Sequence, residues 1–321
     1  MNSARDVQQA RLIEKFEREL GGKAREGIAD PAVTDLIVNQ DGHLWLDAHG
    51  KGMWDSGCVM PATQVESLIG TVAALLNTVV NAQIPIIEGE LPGGIGRFEG
   101  LVPPVVAQPC FAIRKPAQIV YTLDDYVSSG IVSEFQAGVF RTAITECQNM
   151  VISGGTGSGK TTLTSALIHE MAKLGDPSER YAILEDTYEL HCSAHNAIQL
   201  RTCEAADLTR LVRATMRLRP DRIIIGEVRG AEALSMLKAW NTGHPGGVTT
   251  VHANSARAAL TRLSSLVQEA GVPPQPELIA ETVDLIAFIV RKPEGRRLKE
   301  LVRVEGYNAA EGFRLSPLEM E

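Results

Sequence analysis

The spacing of apolar residues differs between the first part of the chain and the part that begins near residue 132. In the first part, apolar positions between residues 65 and 79 recur with the i, i+3, i+4 spacing of a helix face, which predicts one amphipathic helix. Short apolar and alternating runs predict four strands, at residues 34–39, 43–47, 97–102 and 111–115. This mixture predicts an α+β module.

From about residue 132, strand-like and helix-like patterns alternate. Apolar runs lie at residues 149–153, 181–185, 222–226 and 247–251, and helical patterns follow the first three of them. Alternation of this kind is typical of an α/β fold, in which helices cover both faces of a mainly parallel sheet. Three further runs, at residues 284–291, 297–306 and 312–317, predict a terminal group of antiparallel strands.

These patterns predict two domains joined by a connection. The smaller α+β domain covers residues 1–117, and a linker covers residues 118–133, where Thr122 and Asp125 have the spacing of a helix capping box. Residues 134–321 form the larger α/β domain. The length of 321 residues is sufficient for two cores of ordinary size.

The composition of the chain indicates where the protein works and which partners it is expected to bind. The formal net charge is −8 and neither half of the chain is basic, which disfavours direct binding of nucleic acid. Five cysteines without CxxC spacing indicate reduced thiols in a cytoplasmic protein. The longest apolar stretch, residues 69–80, is too short to span a bilayer, so we expect any membrane contact to be peripheral or through partners.

Residues 154–161, GGTGSGKT, have the spacing of a phosphate-binding loop between an apolar strand and a helix. Glycines let backbone N–H groups turn toward an anion, and the helix that follows begins with a partial positive charge. We expect Lys160 to contact the β- and γ-phosphates of ATP and the Thr161 hydroxyl to bind Mg²⁺. The predicted nucleotide-binding residues here are Gly155, Thr156, Gly157, Ser158, Gly159, Lys160, Thr161 and Thr162.

Two apolar runs carry acids at their carboxyl ends, which is the edge where open α/β sheets bind their ligands. The run RIIIGE ends in Glu227, which we expect to hold the Mg²⁺ shell through water or to polarise the attacking water. The run ILEDT carries two adjacent acids that point to opposite sides of an extended chain. Glu185 is the predicted catalytic acid or base and a second water-mediated Mg²⁺ contact, while Asp186 stays a possible partner.

Arginines and histidines follow the acidic segment. The arginine series contains no lysine and comprises Arg201, Arg210, Arg213, Arg217, Arg219, Arg222 and Arg229. For any single arginine a surface salt bridge is the favoured interpretation. For the series as a whole we favour a role in a subunit interface, because arginines supplied to a γ-phosphate raise hydrolysis by roughly 10³–10⁵. His252 ends a short strand and is predicted to sense the γ-phosphate or to relay to the next subunit, whereas His244 stays open between a functional and a structural role.

The order of these motifs resembles the type II/type IV secretion ATPase family, which also includes pilus motors. GGTGSGKTT, ILEDTYEL, RLRPDRIIIGEVRG and TGHPGGVTTVHANSA correspond to its Walker A loop, acidic box, Walker B element and histidine box. The RLRPDR run and the compact N-terminal half are most similar to the conjugative-transfer branch, the TrbB-type ATPases.

The resemblance implies a hexameric ring in which a RecA-like P-loop domain binds ATP and Mg²⁺. It implies that Arg97 and Arg114 reach the phosphates from the N-terminal side and that Arg217 and Arg219 occupy the family's arginine positions. The implied function is a cytoplasmic motor, peripherally associated with the inner membrane. Such a motor hydrolyses ATP for pilus assembly or substrate transfer, with inner-membrane secretion or conjugation components as partners.

Two alternatives stay open. A P-loop small-molecule kinase would need an acceptor pocket and usually a mobile lid, and it would leave the arginine and histidine segments unexplained. A nucleotide-dependent scaffold would bind ATP and hardly hydrolyse it. The sequence also leaves the transported substrate open among DNA, protein and pilus subunits.

Overall fold

The chain folds into two units, residues 1–119 and residues 120–321, and each has its own apolar core. The structure is a computed structural model that describes the backbone of residues 3–6 and, with side chains, residues 7–48, 51–116, 120–292 and 294–318. Within these residues no helix combines the length and the apolar character needed to cross a membrane.

The first unit is a six-stranded antiparallel sheet with helices on one face. Its elements are α1 (Ser3–Ala29), β1 (Val33–Val38), β2 (His43–Ala48), β3 (Gly52–Val59), α2 (Ala62–Leu75), β4 (Ile86–Leu91), β5 (Gly96–Leu101) and β6 (Cys110–Arg114). The strands lie in the order β3-β2-β1-β6-β5-β4, and each pairs antiparallel with its neighbours. Helix α1 is broken at Gly21, whose φ of 76° is far from helical values.

The four strands predicted in this unit and the helix α2 are confirmed, with their ends shifted by one to a few residues. The sequence patterns did not predict β3 and β4, which form the two edges of the sheet. Side chains on β3 are alternately exposed and half-buried, so no apolar alternation marks that strand. In β4 the acids Glu88 and Glu90 interrupt the apolar run.

The second unit contains an eight-stranded sheet with helices on both faces. Its elements are α3 (Leu123–Ser128), α4 (Glu134–Thr145), β7 (Met150–Ser153), α5 (Lys160–Leu174), β8 (Tyr181–Glu185), β9 (Ala197–Arg201), α6 (Leu208–Thr215), β10 (Arg222–Ile225), α7 (Glu232–Asn241), β11 (Val248–Val251), α8 (Ala256–Gln268), α9 (Pro276–Thr282), β12 (Leu285–Lys292), β13 (Gly295–Asn308) and β14 (Gly312–Pro317). The strand order is β14-β13-β12-β7-β11-β10-β8-β9. Helices α3 to α5 pack on one face and α6 to α9 on the other. The predicted α/β class with a smaller α+β domain is confirmed.

The C-terminal strands differ from the prediction at one point. Strands β13 and β14 are antiparallel, as expected, but β12 pairs parallel with β7 on one side and antiparallel with β13 on the other. Residues 285–289 of β12 are all buried, because a central strand in this sheet has helices on both faces. Strand β12 therefore lies directly beside the strand that leads into the phosphate-binding loop.

Most of the segment predicted as a linker, residues 118–133, belongs to the second unit. Helix α3 lies inside this segment and begins at the predicted capping box, in which the Asp125 N–H donates to the Thr122 hydroxyl at 3.1 Å. Leu123 and Tyr126 are buried in the core that α3 shares with α4 and α5. Residues 117–119 lie outside the described part of the chain.

The parallel strands bring the predicted site residues to one edge of the sheet. Strands β7, β8, β10 and β11 are buried along their whole length, so the side chains with chemistry follow at or just beyond their carboxyl ends. In the sheet β7 is adjacent to β11, and β10 and β8 lie beyond β11. The carboxyl ends of these four strands therefore form one continuous edge.

Candidate active site

The loop of residues 154–159 connects the buried strand β7 to α5 and depends on its glycines. A Cβ added at Gly154 would lie 2.5 Å from both the Ile289 carbonyl oxygen and the Ser158 hydroxyl oxygen, so no larger residue fits there. Gly157 and Gly159 have φ values of 69° and 96°, in the left-handed region that other residues rarely adopt. The glycine spacing thus serves the loop's conformation.

The residues predicted to bind nucleotide are arranged around this loop. Gly155, Thr156 and Gly157 are exposed at its tip, and Thr161 and Thr162 are half-buried in the first turn of α5. Ser158 is 3% exposed, and its hydroxyl oxygen has no hydrogen-bond partner among the described residues. A loop that combines exposed glycines with a buried, unpaired hydroxyl at a helix start can donate hydrogen bonds to an anion.

Lys160 is buried beneath the loop. Its ammonium donates to the carbonyl oxygens of Gly154 and Gly155, each at 3.1 Å, and lies 3.3 Å from Nδ1 of His252. Burial lowers the pKa of Lys160, while the nearby Glu227 acts in the opposite direction. The lysine is therefore linked to the histidine segment as well as to the loop.

His252 lies between Lys160 and Glu227. An ammonium can only donate, so Nδ1 of His252 accepts from Lys160 and the neutral ring carries its proton on Nε2. That nitrogen lies 3.0 Å from Oε1 of Glu227; this is an electrostatic contact, since Oε1 makes no hydrogen bond among the described residues. Burial and the Lys160 charge lower the pKa of His252, which favours the neutral ring.

Glu227 is also paired with an arginine of the same segment. Nε and Nη2 of Arg229 donate to Oε2 of Glu227 at 2.9 and 2.6 Å. Lys160, His252, Glu227 and Arg229 thus form a continuous chain of contacts across three strand ends. The sequence indicated Arg229 only as one member of the arginine series, and its role beside Glu227 was not predicted.

Glu185 occupies a different environment from Glu227. Its side chain is 3% exposed, and its Oε1 accepts from the backbone N–H groups of Glu189 and Leu190, both at 2.9 Å. Oε2 has no hydrogen-bond partner in the described part of the chain. Burial raises the pKa of Glu185 to about 7. The side chain packs over Gly226, where an added Cβ would lie 3.0 Å from Cγ of Glu185.

The neighbouring acid, Asp186, is exposed and accepts a hydrogen bond from the Thr202 hydroxyl at 3.1 Å. Its position differs from that of Glu185 because adjacent residues of an extended chain point in opposite directions. The other residue left open, His244, has Nδ1 2.8 Å from the Pro220 carbonyl oxygen. That contact connects the turn before β11 to the segment that carries Arg219.

The arginine series separates into two kinds of residue. Arg217 and Arg219 are exposed, and within residues 120–292 the structure records no ion pair or side-chain hydrogen bond for either. Arg219 has a φ of 52°, an unusual conformation for a residue other than glycine. Arg222, in contrast, is 3% exposed and pairs with Glu179 at 3.1 Å, so its guanidinium is held inside its own unit.

Arg97 and Arg114 lie in the first unit. They are directly opposite each other on β5 and β6, so both side chains project from the same face of that sheet. Arg97 is 3.5 Å from Glu88, and Arg114 donates to Asp35 at 2.9 Å. Two like charges at opposed positions destabilise a sheet unless anions lie near them, and two carboxylates supply that charge here.

Two further arginines near the loop were not predicted. Arg291 and Arg296 are opposed residues of the β12–β13 hairpin, and both lie against glycines of the phosphate-binding loop. The signal in the sequence is the basic run RKPEGRRLK within an acidic chain. The pattern alone could not place this run beside the loop, because the parallel pairing of β12 with β7 was not foreseen.

Comparison with known proteins decides the family. Residues 32–309 match the family model of type II/IV secretion system proteins. The chain belongs to this family. It is 50% identical over 297 residues to a probable conjugal transfer protein TrbB of Sinorhizobium fredii, covering 92% of this chain and 91% of the relative. The resemblance to the conjugative-transfer branch is confirmed.

More distant similarities agree with this family. The chain is 30% identical over 298 residues to the type IV secretion system protein PtlH of Bordetella pertussis, covering 81% of this chain and 86% of the relative. Its fold is similar to that of the ATPase DotB of Yersinia pseudotuberculosis, with a TM-score of 0.63 and 21% identity, over 85% of this chain and 76% of that one.

Proposed function

We propose that this chain is an ATP-hydrolysing motor of a type IV secretion or conjugative plasmid transfer machine and that it works as a hexameric ring. The observation that supports this most directly is the contact between Lys160 of the loop and His252, whose ring faces Glu227. Relatives named as conjugal transfer and type IV secretion proteins support the choice of machine. Its proposed partners are copies of itself and inner-membrane components, and its proposed location is the cytoplasmic side of that membrane.

The residues of the loop fit the phosphates of ATP. We assign residues 155–162 to phosphate binding, because the loop excludes a side chain at Gly154 and presents exposed backbone at its tip. Lys160 would exchange its contacts with the carbonyl oxygens of Gly154 and Gly155 for a phosphate oxygen. That exchange also changes its contact with His252, so the histidine senses whether a phosphate is bound.

The carboxylates of the site fit Mg²⁺. Oε2 of Glu185 and Oε1 of Glu227 are buried and have no hydrogen-bond partner among the described residues, and hard cations prefer oxygen ligands. We propose that the Thr161 hydroxyl binds the ion directly and that the two glutamates hold it through water. When bound, Mg²⁺ would neutralise charge on the transferred phosphate.

The two glutamates have different proposed roles. Glu185 has a pKa near the working pH, which suits a group that takes a proton from attacking water and later releases it. Glu227 accepts a hydrogen bond from Arg229 and faces His252. Its proposed role is to position the attacking water and, through His252, to respond to whether Lys160 contacts a phosphate. Exposed Arg217 and Arg219 are proposed to reach a nucleotide bound by a neighbouring subunit, and Arg97 and Arg114 are proposed as further phosphate contacts.

Hydrolysis without an added acceptor tests the enzyme class. Purified protein with ATP and Mg²⁺ should release inorganic phosphate, and Lys160→Ala should abolish that release, whereas Lys173→Ala, an exposed lysine at the far end of α5, should not. Release that needs an added small molecule would indicate a kinase. Tight binding of ATP without release would indicate a scaffold.

Mixing two inactive chains tests the ring. If Arg217 acts on a neighbour's nucleotide, Arg217→Ala and Lys160→Ala chains should recover part of the activity when mixed, because some sites then combine an intact loop with an intact arginine. The control mixes Lys160→Ala chains with Arg257→Ala chains, which lack only an exposed arginine of α8 and should be active. This mixture shows how much activity is recovered when the partner chain is active. Absence of recovery at every ratio would show that Arg217 acts within its own chain or has only a structural role.

A further inference from the structure

The β12–β13 hairpin lies against one flank of the phosphate-binding loop. A Cβ added at Gly159 would lie 2.9 Å from Cδ and 3.1 Å from Nε of Arg296. A Cβ added at Gly157 would lie 3.7 Å from Nη1 of Arg291. The absence of side chains at these two glycines thus allows two guanidinium groups to approach the loop closely.

Arg296 has hydrogen-bonding capacity that the described residues do not use. Its side chain is half-buried, and its Nε is fully buried without a hydrogen-bond partner in the described part of the chain. A buried, unpaired donor costs free energy, and a guanidinium offers five N–H donors suited to a phosphate. The arrangement is the one expected of a side chain whose acceptor belongs to a ligand.

The sheet order indicates which part of a nucleotide lies near Arg296. Strand β7 lies between β11 and β12, so His252, Glu227 and Glu185 approach the loop from one side and the hairpin arginines from the other. The acids and the histidine are the groups suited to the metal and the γ-phosphate. A nucleotide that places its γ-phosphate toward them extends its nucleoside end toward the hairpin.

We propose that Arg296 donates to the α-phosphate of the bound nucleotide and holds its nucleoside end, while the more exposed Arg291 adds positive charge beside it. This proposal rests on the nucleotide site proposed above. Arg297 follows Arg296 on the same strand, is exposed, and lines a groove with Val290 and Lys299 on the hairpin. Arg297→Ala therefore removes an equal charge from the same hairpin without touching the loop contact.

Calorimetric titration with ADP and with inorganic phosphate separates the two ends of the ligand, since inorganic phosphate supplies only a single phosphate for the loop centre. Arg296→Ala should weaken ADP binding about tenfold, as expected for one lost charge-assisted hydrogen bond at a half-exposed site, and inorganic phosphate binding less than about twofold. Arg296→Lys should recover part of the ADP affinity. Arg297→Ala should change neither ligand, and thermal unfolding of each variant establishes that it is folded.

Lys160→Ala should weaken both ligands, and if it changes neither, the proposed nucleotide site itself fails. If that control behaves as expected but Arg296→Ala leaves ADP binding unchanged, Arg296 has no ligand contact. If Arg296→Ala weakens inorganic phosphate as much as ADP, the arginine acts at the phosphate held by the loop centre, and the assignment to the α-phosphate is overturned.

Discussion

On the β11 side of the phosphate-binding loop, His252, Glu227 and Glu185 occupy neighbouring strand ends, whereas on the β12 side Arg291 and Arg296 lie against the loop. Carboxylates and a histidine can accept protons, bind a metal and change charge near neutral pH. Arginines stay charged and only donate hydrogen bonds. In the proposed mechanism the chemistry therefore belongs to the β11 side, the reactive flank, and the β12 side, the arginine flank, only holds the ligand.

The residues on the two flanks also differ in how much their burial destabilises the folded state. Glu185 is buried with one oxygen unpaired, which is unfavourable for its charged form and raises its pKa. Arg296 leaves only Nε buried, and the rest of its guanidinium is partly accessible. The larger electrostatic cost therefore lies on the flank that carries Glu185, as is common at active sites.

The largest expected effect is the loss of hydrolysis in Glu185→Gln. If Glu185 is the acid or base, replacing its carboxylate by an amide should lower kcat by roughly 10²–10⁴, because an amide cannot take up a proton at neutral pH. ADP binding should stay close to that of the parent, since Lys160 and the loop are unchanged. Glu204→Gln, an exposed acid of the same unit, is the matched control. Equal rates for both variants would remove Glu185 from the chemistry.

The same substitution should change stability with pH. The folded-state pKa of Glu185, about 7, lies above the ordinary value of 4.5, so the folded chain binds the extra proton between these values and loses stability as pH rises through that window. Glu185→Gln lacks this titration and should be about 3 kcal/mol more stable than the parent near pH 8, with a difference close to zero below about pH 4. Urea unfolding without nucleotide or Mg²⁺ measures it. A difference that is independent of pH would contradict the raised pKa.

His252→Ala should have a smaller effect on the reactive flank. It removes the acceptor that Lys160 contacts and the ring that faces Glu227, and we expect kcat to fall about tenfold with little change in ADP affinity. His195→Ala, at an exposed histidine outside the site, is the control. If ADP affinity fell while kcat stayed the same, His252 would act in ligand binding, and the proposed division of roles between the two flanks would be wrong.

The smallest effect concerns the arginine flank. Gly157→Ala and Gly159→Ala both place a Cβ on left-handed backbone, but only Gly159→Ala also meets Arg296 at about 3 Å. We expect Gly159→Ala to be less stable than Gly157→Ala by about 1 kcal/mol in chemical denaturation, and Arg296→Ala to remove most of that difference. If the changes in stability caused by Gly159→Ala and Arg296→Ala simply add in the double variant, Arg296 and Gly159 do not touch in solution.

The fold was predictable where burial gives a local pattern. The run Ile223-Ile224-Ile225 and its parallel neighbours are buried on both faces, so their sequences are continuously apolar and could be identified one at a time. The exposed edge strands β3 and β4 have no such pattern and were missed. The segment of residues 118–133 resembled a linker, and only the structure shows that Leu123 and Tyr126 of α3 are buried in the second core.

The sequence by itself determined which residues can carry chemistry, because the glycine spacing before Lys160 and the acids that end apolar strands are local features. Only the tertiary structure decided which of them meet. Lys160 and His252 are 92 residues apart in the chain and come within 3.3 Å because β7 and β11 pair. The pairing of β12 with β7 likewise brings Arg296 to Gly159. Strand order follows from packing the whole sheet between its helices, and no short stretch of sequence contains it.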